Sequence, residues 1–155
     1  MNDKALRKDL IELLGGGQAH STLEEVLKGL TPELCNRQPQ KGIRSVYEEL
    51  EHVRLAQEDI LRYTLDPLWE SPEWPDEFWP SDGDVITEEI LKSTVSGFFR
   101  DLDELIALVK NPEFDLTSQI PHGEDHTYLR EILLVADHNA YHLGKIVRTL
   151  KQLGE

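Results

Sequence analysis

The chain has 155 residues, 39% of them hydrophobic, with 16 Lys and Arg against 30 Asp and Glu, a formal net charge of −14. That length suits one domain around a single core. The acidic balance argues against nucleic acid and against anionic membrane surfaces, where Lys and Arg must face phosphate.

Cys35 is the single cysteine, which excludes an intramolecular disulfide and a cysteine-based zinc site. No apolar run is long enough to span a bilayer. The opening stretch MNDKALRKDLIELLGGG is charged and amphipathic and lacks the apolar stretch of a signal peptide. The expectation is a soluble, cytoplasmic protein forming one helical domain over residues 1–155.

Helical periodicity dominates and strand alternation is absent. A first helix is predicted over 2–14, ending at Gly15-Gly16-Gly17, a break that lets this short leading helix pack separately or fold back. A second begins at Ser21, read as an N-cap with Glu24 three residues on, carries Leu23, Val26, Leu27 and Leu30, and stops near Thr31-Pro32. Cys35 follows in a helix-to-loop region; with no histidine or cysteine partner beside it, it reads as an inert thiol. A third helix spans about 43–65, with Val46, Leu50, Val53, Ile60 and Leu61 at helical spacing.

Residues 66–84 form a Trp- and Pro-rich connection holding Trp69, Trp74, Phe78 and Trp79. No helix continues through its prolines, and its length marks it as either a lid over a site or a packed crossover. A fourth helix is predicted over 87–110 with Thr87 as N-cap, and Asn111-Pro112 ends it. After a loop containing IPHGEDH, a last helix covers 127–153. Four main helices after a leading one, with one long crossover, predict an all-α four-helix bundle.

His138 and His142 lie at i and i+4 on the last helix, which places both imidazoles on one face within reach of a shared metal ion. Asp137 points away from that face by about 100°. The strongest apolar stripe runs through Leu129, Ile132, Leu133, Ala136, Ala140, Leu143, Val147 and Leu150, and the pair sits about 150° from its centre. Leu134, Val135, Tyr141 and Ile146 partly cover that second side, so the helix faces both a core and another surface, either a metal cleft or a subunit interface. Two histidines rarely hold a catalytic metal, and a third ligand is needed. His52 is the one histidine inside another long helix, although periodicity assigns it to solvent. His20, His122 and His126, near helix starts or in loops, read as solvated. Glu49 and Asp59 share the face of His52; either can support a ligand from behind, but as members of an acid-rich surface each reads first as a solvated charge.

Three segments together resemble the DinB-like (DinB/YfiT) superfamily: LEHVRLAQEDIL around His52, SPEWPDEFWP in the loop, and LLVADHNAYHLGKIV around His138 and His142. The resemblance runs from about Gly17 to the end. It implies a four-helix bundle with a metal site of His52, His138 and His142, nickel or zinc as the ion, and a homodimer. Relatives in that superfamily include transferases and isomerases that use a small thiol such as mycothiol or bacillithiol, and metal-dependent hydrolases. Three imidazoles leave a coordination position open for a water, thiol or substrate, and the same ligands serve either reaction. Two other readings stay open: a non-enzymatic metal-binding or stress-response protein, and a helical dimerisation module with a vestigial site.

Overall fold

The computed structural model describes residues 3–81, 83 and 85–155. The predicted helix start at Asn2 and the loop end at Asp84 lie outside the described residues. Six helices follow in order: α1 (Asp3–Gly15), α2 (Leu23–Leu27), α3 (Pro32–Cys35), α4 (Val46–Leu65), α5 (Glu88–Lys110) and α6 (Tyr128–Leu153). A 3-10 turn, Asp76–Phe78, interrupts the long connection. Among the described residues there is no strand, only an isolated bridge between Gln119 and Thr127.

Local chemistry sets the helix starts. Thr87 caps α5 as the sequence predicts, and Thr127 caps α6, each accepting the backbone N–H three residues on. The second helix starts one residue later than read from sequence. Thr22, not Ser21, is the cap, and Glu25, not Glu24, closes the reciprocal box. It also stops early, and a separate short helix, α3, follows with Thr31 as its cap and Pro32 in its first turn. The third predicted helix starts at Val46 rather than Ile43, because Ser45 and Glu48 form a second capping box.

The four long helices α1, α4, α5 and α6 make the bundle. α4 packs against α5 and α6, and α1 packs against the same two, which puts α1 and α4 on opposite corners. The leading helix is therefore one of the four bundle members. Its Leu10 and Leu14 join Val53, Leu61, Phe98, Leu105, Ile132 and Val135 in the main core. Arg7 anchors it, donating to the carbonyl of Val109 in the last turn of α5 and to those of Asn111 and Phe114 just beyond it. A second apolar cluster lies where α2 and α3 cover Val46, Leu50, Leu91 and Ile146.

Helix directions follow from the cross-contacts. Tyr47 reaches Thr94, Gln57 the carbonyl of Phe98, and Arg62 the carboxylate of Glu104, so α4 and α5 run parallel. Glu49 meets His142 and His52 meets His138, so α6 runs antiparallel to α4. A parallel pair cannot be joined by a short turn. The 66–87 connection therefore runs back along the bundle, and this brings it over the histidines.

Candidate metal centre

The last helix is buried along Ile132, Val135, Ala136, Asn139, His142, Leu143, Ile146 and Thr149. This differs from the stripe read in the sequence. Leu133 is 43% exposed, whereas Val135 and Ile146 are fully covered. The helix lies between α1 and α4, so its covered arc is wide and takes in His142. His138, one turn earlier, is half-buried.

His52 faces the pair across the α4–α6 contact and is only 2% exposed, against the exposure that its periodicity predicts. The crossover loop covers it. His52 Nδ1 donates to the carbonyl oxygen of Phe78 at 2.8 Å, and its ring stacks on Trp79 with centroids 3.9 Å apart and planes 5° from parallel. The loop is also tied to α4 further along, where Trp69 Nε1 donates to Asp59 at 2.8 Å. Asp59 is thus a half-buried acceptor for the loop. Of the two readings from sequence, these contacts make the segment a packed crossover, one that covers His52.

The three histidines converge. One ligand atom from each of His52, His138 and His142 lies within 4.8 Å of the others, an arrangement that could hold a metal ion. Their hydrogen bonds fix which nitrogens face inward. A carbonyl only accepts, so the Phe78 contact places a proton on His52 Nδ1 and leaves a lone pair on Nε2. His142 Nδ1 donates to Glu49 Oε2 at 2.6 Å, which frees its Nε2 in the same way. Glu49 is 2% exposed and is no solvated charge; its other oxygen accepts from Lys145 Nζ at 2.6 Å. Periodicity missed it because the same wide arc that covers His142 covers the residue opposite.

The Nε2 atoms of His52 and His138 lie 3.2 Å apart. Two lone pairs that close repel unless a proton or a cation lies between them. His138 Nδ1, buried, has no partner among the described residues. Imidazole nitrogens bind zinc at about 2.0–2.1 Å, so two of them on one ion come this close. An all-nitrogen donor set with two rings held from behind by a carbonyl and a carboxylate fits a divalent transition metal.

Electrostatics favour the neutral form of two of the rings, His138 and His52. Desolvation pushes the His138 pKa down to about 4, helped by His142 and His52 nearby. Desolvation also lowers that of His52, against the pull of the Phe78 carbonyl. Burial pushes the Glu49 carboxyl up, but hydrogen bonds from His142 and Lys145 outweigh it, and its pKa falls below the ordinary value.

The other candidates lie apart. His20 is exposed and contacts the Ser21 carbonyl. His122 is exposed and donates to the Tyr63 carbonyl. His126 is half-buried rather than solvated, 3.2 Å from both the Tyr63 hydroxyl and the buried carboxylate of Glu131. Asn139, which spacing points away from the ligands, is buried and donates to Gln57 in the core. Tyr141 is 65% exposed and sets its ring edge-on to His142. Cys35 is buried, and desolvation raises its thiol pKa to about 11, which suits an inert role.

Residues 17–146 match the family model described as the DinB superfamily. The chain belongs to the DinB superfamily, and its buried three-histidine cluster fits a metal-binding member of it. Comparison with curated proteins and with solved structures found no match. No helix among the described residues is long and apolar enough to cross a membrane.

Proposed function

We propose that this chain is a metal-dependent enzyme in which His52, His138 and His142 hold a divalent zinc or nickel ion, acting as a small-thiol-dependent transferase or as a hydrolase. The observation that carries this reading is the convergence of the three ring nitrogens within 4.8 Å, with two rings oriented by acceptors behind them. When bound, such an ion lowers the pKa of a thiol or water brought to it and polarises an oxygen ligand.

The chain's own residues divide the remaining work. Glu49 keeps the Nδ1 proton on His142 and shares its charge with Lys145, so it positions a ligand and is not free to act as a base. The loop covers His52 and excludes water from that side. Trp74 and Tyr141, 67% and 65% exposed, stand beside His52 and His142 and offer apolar walls to the organic part of a substrate.

The test is metal analysis of protein purified without a nickel resin. The wild-type chain should carry about one divalent ion, and His142→Ala should lose it, since two histidines rarely suffice. Unchanged stoichiometry in the variant overturns the site. Turnover of an electrophile with bacillithiol or another small thiol, set against ester hydrolysis, separates the two reactions. Failure of both across a panel leaves a metal-binding protein without catalysis.

A further inference from the structure

We propose that Trp79 is a positioning residue of the histidine centre: by stacking on His52 it holds that ring for the metal, so that seating of the crossover loop and metal binding are one coupled event. The proposal rests on the reading that the triad holds a divalent ion.

Two consecutive loop residues define the state of His52. The Phe78 carbonyl selects the tautomer from behind Nδ1. The Trp79 indole, parallel at 3.9 Å, selects the plane. Turning the ring out of that plane breaks both contacts together. The indole is itself held, with the Arg44 guanidinium carbon 4.5 Å from its ring centroid and Lys145 Nζ at 5.8 Å. His142 and His138 stand at 4.5 and 5.1 Å from His52, ring centroid to ring centroid.

His52 faces α6, but the two contacts that set its tautomer and its plane both come from the loop and neither from α4. Without the stack, the site keeps a fixed His142 and a His138 with no orienting partner on Nδ1 among the described residues. Coordination also draws electron density from an imidazole, and an electron-rich indole face attracts a ring made more positive. By linkage, whatever the metal adds to the stack, the stack adds to metal affinity.

The sequence supplies a reporter. All three tryptophans, Trp69, Trp74 and Trp79, lie within 66–84, so tryptophan emission comes from this loop alone. Zinc affinity is measured by chelator competition for the wild-type chain, Trp79→Ala and Trp79→Phe, with circular dichroism to check folding and emission recorded through the titration. Trp79→Ala should bind zinc about tenfold more weakly or worse, the usual scale for losing a group that orients a ligand. Trp79→Phe, which can still stack, should fall between. Zinc should change the emission of the wild-type chain, and most of that change should vanish in Trp79→Phe.

Equal zinc affinity in the wild-type chain and Trp79→Ala overturns the proposal while leaving the metal site intact, as does wild-type emission indifferent to bound zinc. A wild-type chain that binds neither zinc nor nickel overturns the metal reading and this proposal with it. If Trp79→Ala does not fold, the Trp79→Phe affinity and the two emission titrations decide.

Discussion

Glu49 sits at the junction of two charges, with His142 on one oxygen and Lys145 on the other, both at 2.6 Å. Glu49→Gln keeps the shape and removes the charge that fixes the His142 tautomer. Metal affinity should fall about 10–100-fold, the range for losing such a partner, read by the same chelator competition. The metal-free protein should also show a defined acid sensitivity. His138 has a pKa near 4 in the fold against an ordinary 6.5, and that of His52 is lowered too. A histidine whose folded pKa lies below its unfolded one contributes stability that is fully present above pH 6.5 and is lost as pH falls toward about 4. Glu49, lowered from 4.5, adds a loss of the same sign below that value. Melting temperatures of metal-free protein should drop through this window, and His138→Gln should flatten the upper part. At this scale the family resemblance was needed to read a metal site at His138 and His142, but their shared face was legible from their spacing. His52 and Glu49 were not, because a loop and a wide helix–helix contact cover them, and helical periodicity carries no signal for either.

Among the elements, α1 shows most clearly what spacing alone does not reveal. Its amphipathic pattern and glycine stop were plain in the sequence, but its place as a bundle corner depends on Arg7, which is 9% exposed and donates to one carbonyl in the last turn of α5 and two just past it. Hydrogen bonds from a charged donor contribute about 1.5–3 kcal/mol each and are not additive, so Arg7→Ala should cost about 2–4 kcal/mol in denaturant unfolding. Arg7→Lys, which keeps the charge without the planar fork, should recover only part of it. The cap at Thr87 was readable because it precedes an uninterrupted apolar periodicity, whereas the sequence reading makes Thr127 the first residue of the last helix and not its cap. The start of α2 was not, because Ser21 and Thr22 both have an acid three residues on and only packing of Leu27 into the second cluster decides between them.

For the molecule as a whole, folding and ligation are linked. The three histidines come from α4 and α6, which the unfolded chain does not bring together, so an ion that binds the fold must stabilise it. Zinc at 100 times its dissociation constant adds about 2.7 kcal/mol, which for a chain of this length raises the melting midpoint by about 5–10 °C. A chelator should reverse the shift, and His142→Ala should abolish it. The crossover also sets how much chain is available above the site. α4 has 20 residues, so the return path is about 30 Å long, and about nine extended residues would cover it. The chain uses 22, from residue 66 to 87. More than half of the connection is therefore slack that topology does not require, and it is this surplus that coils into the 3-10 turn and reaches His52. A bundle of the same connectivity can lengthen, shorten or rewrite that surplus without disturbing a single helix, which makes it the part of the architecture most open to divergence in what the centre accepts.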